Sequence, residues 1–475
     1  MMKRIKIRVD ASSEIGYGHL TRCCALLNSI TEIHAYFYST EPIEQSLNQL
    51  CLTHFSFIHL ANNEDFIEHV TENDILLIDG YHFDSTYLTK LKLKGSKVIY
   101  IDDLAHQYLP VDVIINPTPG FTANSYSSLL ATQYFLGLDF ALLRSSFQEL
   151  ANKQRSAKIE NSLLICFGGS DPLNKTAIAY KAAIDSMRFS EIHIVLGQGY
   201  IHEFNIENGS IPSTIYTALP EQEMANLMRK MDYGIVPTSG ILLECLAAKI
   251  NVISGYYIEN QKFVYAEHLK LGNFTDASNL SYESILSSIL KLKKNEWKNI
   301  SIDGKSIIRL SKIISSVQSE EKYSIRFATS SDLEITYQWA NHQLIRKFAF
   351  NQEFIPYEVH QNWFTSKITS KECFYFLLTK EEKPIGSIRF DVTGSIATIS
   401  YLLAPEIHGK GLGAVLMKKG LEELEKIIQS NRIEIVQGWV LQDNIASIKL
   451  FKRFGFFQET ESNMYLFKKN TSLHV

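Results

Sequence analysis

The sequence predicts two successive α/β domains with parallel, doubly wound sheets, followed by a third module built on a strand, a glycine-spaced turn and a long amphipathic helix. Three observations predict this. Short β-like runs alternate with helical patterns up to about Leu142, as in a parallel sheet wrapped by helices. The alternation restarts after a polar stretch, Arg144 to Asn161. Near the C-terminus a β-like run meets Gly409, Gly411 and Gly413, and a helix begins at Leu412. At 475 residues the chain exceeds what a single core usually organises.

In the first domain the expected strands are Ile5–Val9, His34–Tyr38, Asp74–Asp79, Lys97–Ile101 and Val111–Asn116. The first ends at Asp10 and leads through Gly16 and Gly18 to His19. A helix is predicted from about Gly18, because Leu20, Cys23 or Cys24, Leu27 and Ile30 recur at helical spacing. Ligands of open α/β sheets bind beyond the carboxyl ends of strands, where this loop lies. In the helix's first turn the positive dipole end disfavours an imidazolium, so His19 is expected to be neutral and able to act as a base. The alternative is a histidine that only hydrogen-bonds within its loop.

The second domain is expected to hold strands Ser162–Phe167, Glu191–Leu196, Thr214–Thr217, Tyr233–Val236 and Asn251–Tyr256, with helices Asn174–Met187, Glu221–Met231 and Ile241–Lys249 between them. Phe167-Gly168-Gly169-Ser170-Asp171-Pro172 follows a strand and opens a helix, the setting of a phosphate loop. Thr238-Ser239-Gly240 precedes the helix carrying Glu244, and Asn260-Gln261 opens the next. A Ser/Lys-rich helical segment, Ser301 to Lys322, makes the last connection.

A hydrophobic content of 45% and a net charge of −4 exclude a disordered chain and leave no general basic field for nucleic acid or membrane. Six cysteines without a CxxC pair suggest neither a zinc knuckle nor a disulfide framework, so a reducing cytoplasm is the expected location. No apolar run has signal-peptide or membrane-spanning character. Asp102-Asp103 is adjacent rather than spaced as Asp-x-Asp, so metal-free chemistry is expected. Nothing in the sequence indicates an oligomeric state.

The three C-terminal glycines free successive backbone N–H groups at the positive end of a helix, which suits a phosphate, although alternating glycines also serve tight strand-to-helix connections. A second β-like run, Arg432 to Leu441, and the amphipathic helix from Asn444, closed by Gly455, complete a specific order. From Tyr323 to Lys469 this order resembles the GNAT acetyltransferases, which implies an α+β domain using acetyl-CoA. The family's Gln/Arg-x-x-Gly-x-Gly/Ala turn is matched by His408-Gly409-Lys410-Gly411-Leu412-Gly413. The resemblance implies that these residues, with Leu402, Leu403 and Asn444, hold acetyl-CoA. Only His408 departs from the turn pattern. Many relatives carry a tyrosine that protonates the leaving thiolate where this chain has Phe451; Tyr401 or a water are candidate substitutes, or a thiol of pKa ~8.5 leaves unaided.

Asp10-Ala-Ser-Ser-Glu-Ile-Gly-Tyr-Gly-His19 resembles the signature of the nucleotide-sugar hydrolases of pseudaminic acid biosynthesis. The likeness runs from residue 1 to about 310 through Leu77-Ile-Asp79-Gly-Tyr81, Ile101-Asp102-Asp103, Asn116-Pro117, Cys166-Phe-Gly168-Gly169-Ser170-Asp171 and Glu259-Asn260-Gln261. It implies a GT-B arrangement of two Rossmann-like domains, residues 1–143 and 144–310, with a linker at 311–322 and the GNAT domain at 323–470. It further implies His19 as the base that activates water, with Tyr81 and Asn260 at the sugar. Asp10, Gly16, Gly18, Gly168, Gly169, Ser239, Gly240, Glu244 and Gln261 are implied to bind the UDP-sugar, Glu244 through the ribose.

The motifs Tyr337-Gln-Trp339-Ala-Asn341-His342, Ile345-Arg346-Lys347 and Gly386-Ser-Ile-Arg-Phe390 are similar to the N-acetyltransferases of the same pathway, whose product is the hydrolase's substrate. The expectation is a bifunctional enzyme acting on a UDP-linked amino sugar. A GT-B glycosyltransferase joined to a GNAT, or a UDP-sugar-binding module serving the acetyltransferase, are the alternatives. The exact sugar and acyl group are left open.

Overall fold

The computed structural model describes residues 3–471 apart from 13, 29, 31–32, 52–53, 73, 155, 207–210, 293–301, 320–321 and 462. The chain forms two compact units, the first made of residues 1–105, 115–121 and 135–314, the second of 106–114, 122–134 and 315–475.

The first unit holds two sheets. In one, the spatial order is Phe55–His59, Ile33–Ser39, Lys3–Val9, Ile75–Asp79, Lys97–Ile101, Val113–Asn116 and Gln133–Leu136, residues 113–114 and 133–134 of the last two strands belonging to the second unit. The first five strands pair in parallel. In the other, the order is Ser213–Thr217, Glu191–Leu196, Ser162–Cys166, Tyr233–Pro237, Asn251–Gly255 and Thr275–Asp276, parallel throughout. Central strands such as Ile75–Asp79 and Ser162–Cys166 are buried along their whole length, because helices cover both faces; that is why they read as continuous apolar runs. The expected strand set lacks Phe55–His59, Gln133–Leu136 and the two-residue Thr275–Asp276. Phe55–His59 is an edge strand, mostly half-buried, so no continuous apolar run announces it.

Each sheet reverses its strand order once, between Lys3–Val9 and Ile75–Asp79 in the first and between Ser162–Cys166 and Tyr233–Pro237 in the second. A crevice opens beyond the carboxyl ends of strands at such a reversal. The loops Asp10–Gly18, Phe167–Ser170 and Thr238–Gly240 all lie at these points.

The second unit is built on a seven-stranded sheet, antiparallel except where Ile396–Leu403 runs parallel to Ile435–Leu441. The helix Leu412–Asn431 covers it, burying Leu416, Met417, Leu421, Leu424 and Ile428 at helical spacing. Leu130 and Ala131, from much earlier in the chain, complete this core. Beside them Asp112 forms an ion pair with Lys418 at 3.1 Å, the two side chains 3% and 1% exposed. Of the connecting segment expected at Ser301–Lys322, Ser306–Ser319 is helical; residues 301 and 320–321 lie outside the described residues. Among the described residues no helix is long and apolar enough to cross a membrane.

Candidate active sites

The helix Gly18–Leu27 starts where the loop after the first strand turns at Gly16, whose φ of +87° favours glycine. This places His19 in the crevice, where Nδ1 is 2.7 Å from Asp79 Oδ1. Burial opposes ionisation of Asp79, yet the neighbouring Arg22 guanidinium and His19 outweigh it and hold the carboxyl at about 2. An ionised Asp79 only accepts, so His19 donates from Nδ1, which puts the lone pair of the neutral ring on Nε2. Arg22 donates to both Asp79 oxygens at 2.6 Å and, through its other amino group, to Asp103 at 2.8 Å. The Tyr81 hydroxyl donates to Asp103 at 2.9 Å, and its ring meets that of His19 edge-on at 4.7 Å. The structure thus joins His19 and Tyr81 through a buried Asp79–Arg22–Asp103 chain.

Replacing Asp79 by Asn is expected to reduce turnover at this site by roughly 10²-fold or more. The amide can present N–H to Nδ1 and impose the wrong tautomer. The depressed carboxyl also stabilises the fold above the unfolded value near 4, by about 2 kcal/mol, and this contribution fades as pH falls through about 2. Urea unfolding at pH 7 and pH 3 should therefore show a larger parent–variant gap at pH 7.

Asp10 sits at the same crevice but is only 3% exposed. Oδ1 accepts from Arg8 at 2.6 Å, Ser39 Oγ at 2.7 Å and the Thr40 N–H at 2.8 Å, and Oδ2 is 3.0 Å from His82. Its carboxylate anchors the loop.

At the second sheet, Gly168 has φ +80° and open space where a Cβ would be. A Cβ on Gly169 would stand 3.2 Å from the Tyr17 ring, so the loop preceding His19 lies against this glycine pair. Gly197 was not anticipated; a Cβ there would fall 2.3 Å from the carbonyl oxygens of Gly168 and Gly169, so only glycine lets the loop close. Ser239 and Gly240 are exposed at the open N-terminus of the helix Gly240–Ala247. Glu244, in that helix, is 7% exposed and accepts two hydrogen bonds from Arg144, at 2.7 and 2.8 Å. Arg144 was also missed. Gln261 Oε1 accepts from the Tyr257 N–H at 3.2 Å. Asn260 Oδ1 is buried with no hydrogen-bond partner among the described residues, which a ligand donor would satisfy.

In the second unit, Ile396–Leu403 and Ile435–Leu441 pair only from Ile396 to Thr398 and then separate. Leu402 and Leu403 lie on the splayed part. Gly409 and Gly411 have φ of +79° and +75°, and a Cβ at either would meet nothing within 4 Å. The turn's glycines therefore answer to backbone conformation, and they leave room for a ligand above the helix start at Leu412. A Cβ on Gly413 would stand 3.5 Å from the Leu450 side chain. His408 Nε2 is 3.1 Å from the Leu403 carbonyl and Lys410 donates to that of Glu406 at 3.1 Å, so both brace the turn. Asn444 caps the helix Ile445–Arg453 by accepting from the Ser447 N–H. A cavity of about 360 Å³ opens beside the splay, lined among others by Arg346, His360, Trp363, Arg389 and Tyr401. Burial lowers the pKa of His360. Arg389 lies 4.7 Å over the Trp363 ring and pairs with Asp391 at 2.8 Å.

Residues 334–456 match the Acetyltransferase (GNAT) family. The C-terminal module has the GNAT fold. The whole chain is similar to a Methanocaldococcus jannaschii protein named only as uncharacterized, at 24% identity over 95% of this chain and 96% of the relative. A Campylobacter jejuni UDP-2,4-diacetamido-2,4,6-trideoxy-β-L-altropyranose hydrolase is 24% identical over 54% of this chain and 93% of its own length. The crystal structure of the Campylobacter jejuni N-acetyltransferase PseH aligns at 20% identity over 32% of this chain and 99% of that one, with a TM-score of 0.25. The chain thus couples a GNAT module to a segment similar to a UDP-2,4-diacetamido-2,4,6-trideoxy-β-L-altropyranose hydrolase.

Proposed function

We propose that the chain performs two successive steps on one nucleotide sugar: acetyl-CoA-dependent 4-N-acetylation of a UDP-4-amino-dideoxy sugar, then hydrolysis of the resulting UDP-2,4-diacetamido-trideoxy-altropyranose to free sugar and UDP. The observation that carries this reading is the His19–Asp79 pair at a strand-order reversal, in a segment similar to a named hydrolase, on the same chain as a GNAT module. In this reading residues 1–143 and 144–310 are the two halves of a GT-B arrangement. His19 Nε2 takes a proton from the water that attacks the anomeric carbon, and Asp79 holds the imidazolium that results. Tyr81 and Asn260 contact the sugar, the orphaned Asn260 Oδ1 accepting from it. Backbone N–H groups around Gly168, Gly169, Ser239 and Gly240 receive the diphosphate, and Glu244, steadied by Arg144, receives the ribose.

Acetyl-CoA fits the second unit's turn on two counts, the free space above Gly409 and Gly411 and the parted strands beside Leu402 and Leu403. It supplies the acetyl group; Gly409, Gly411 and Gly413 would bind its pyrophosphate through their amides. The Gly411→Val variant is expected to raise KM for acetyl-CoA by roughly tenfold or more, because a β-branched residue is strained at positive φ. Release of UDP from preacetylated sugar should continue. If both activities fell together in a folded variant, the two-site reading would be wrong.

The deciding experiment mixes the chain with acetyl-CoA and candidate UDP-4-amino sugars and follows products by mass spectrometry. Stoichiometric UDP release without any sugar acceptor is expected. Release only when an acceptor alcohol is added would instead make the first unit a glycosyltransferase, and tight binding of unchanged UDP-sugar would make it a binding module.

A further inference from the structure

We propose that Tyr401 gives the proton to the departing thiolate during acetyl transfer and that Ser447 positions its hydroxyl; this rests on the acetyltransferase reading above. Position 451 has no acid to offer. Phe451 is 2% exposed, its ring stacks on Phe467 at 5.1 Å and 17°, and it fills the space a Cβ on Gly438 would need, 2.4 Å away. The ring is a core element of the sheet.

Tyr401 stands where a substitute is needed. It lies three residues beyond the last rung joining its strand to Ile435–Leu441, in the part where the strands have separated. Its hydroxyl reaches out to Ser447 Oγ at 2.7 Å, in the first turn of the helix that carries Phe451 one turn later. The two hydroxyls span the opening, and Tyr401 lines the 360 Å³ cavity. Ser447 is fixed in turn, since its N–H donates to the capping Asn444 side chain at 3.1 Å. Burial pushes the Tyr401 phenol up to about 12, so it enters the reaction protonated.

The step balances without another reagent. The sugar amine attacks the thioester carbonyl carbon, a C–N bond forms, and the C–S bond breaks with its electron pair going to sulfur. Tyr401 passes its phenolic proton to that sulfur, and the Ser447 hydroxyl turns to donate to the phenolate left behind. The proton shed by the nitrogen returns to Tyr401 through solvent.

The test compares two donors, acetyl-CoA and acetyl-seleno-CoA, with the UDP-4-amino sugar as acceptor. A selenolate is a weaker base and leaves without a proton, so it bypasses the acid. Tyr401→Phe keeps the ring and is expected to lose about 10²-fold in kcat with acetyl-CoA but to stay within about threefold of the parent with acetyl-seleno-CoA. Ser447→Ala should show the same pattern with a smaller loss, roughly tenfold, the worth of one hydrogen bond. Calorimetric affinity for acetyl-CoA should change less than about twofold in both variants, and UDP release should be unaffected. Equal losses with both donors, or a Tyr401→Phe variant as fast as the parent on acetyl-CoA, would overturn the assignment while leaving the acetyltransferase reading intact. A parent chain that releases no CoA from either donor would overturn both.

Discussion

Replacing His19 by alanine is expected to lower UDP release from the diacetamido UDP-sugar by ~10²–10⁴-fold, the usual worth of a general base, while acetyl transfer continues at the parent rate. The expectation follows from how the ring is held. Asp79 is fully buried and accepts a hydrogen bond from Nδ1–H at 2.7 Å, which turns Nε2 to the reaction, and the Tyr81 ring meets the imidazole edge-on. Alanine removes the base and leaves Asp79 with Arg22, so the buried carboxylate stays compensated and the fold should survive. Retained acetyl transfer is the internal control for folding of the chain. His19→Gln, which can still donate to Asp79, should be equally slow, since a side-chain amide does not accept the proton. A variant hydrolysing at more than half the parent rate would remove His19 from the mechanism.

Much of this arrangement is legible in sequence because it is local. Strands such as Lys97–Ile101 and Glu191–Leu196 have the expected bounds, since buried strands of a parallel sheet are short continuous apolar runs flanked by loops. The glycine turns are legible for the same reason; positive φ at Gly16, Gly168, Gly409 and Gly411 is a property of a few adjacent residues. What escapes is whatever the topology brings together from afar. Asp79 and Asp103 lie 57 and 81 positions from Arg22, and only the pairing of neighbouring strands makes their carboxylates meet one guanidinium. Arg144, which stands 100 positions from its partner Glu244, reads as part of a polar bridge. The placing of Leu130 and Ala131 in the core of the second unit is equally silent, because an apolar pair after a turn suits any nearby core. Asp10 has contacts that are equally hidden in the sequence. A carboxylate at a strand end suggests a ligand contact, and the sequence does not show that Arg8, Ser39 and His82 all turn to it.

Those contacts also bear on how the activities can be separated. Within the second unit Lys418 is paired with the buried Asp112, and Lys469 donates to the Leu130 carbonyl at 2.8 Å. Burial lowers the Lys469 ammonium to about 7. A chain cut before residue 323 would lose the partners that segments 106–114 and 122–134 provide, leaving the buried Lys418 without Asp112 and Lys469 with one acceptor fewer. Point variants in the full chain are for that reason the sounder way to silence one step and read the other.

The order of the two steps can be read with such variants, and acetylation is expected to come first. The free 4-amino UDP-sugar should release UDP at least roughly 10²-fold more slowly than its acetylated form when acetyl-CoA is omitted. A protonated 4-amine puts a cation on the ring where positive charge must develop in an oxocarbenium-like transition state, and acetylation removes it. A site that hydrogen-bonds an acetamide would also leave buried polar groups unpaired around an ammonium, a mismatch of a few kcal/mol. Linking the two modules on one chain is then useful, because the first product is formed at high local concentration near its consumer. In the Gly411→Val chain, UDP release from the amino sugar should stay slow even with acetyl-CoA present, and supplying the acetylated sugar should restore it. Equal release from both sugars by the parent chain would show that the hydrolytic site does not sense the acetyl group, and the order would have to be set by something other than the chemistry of the 4-position.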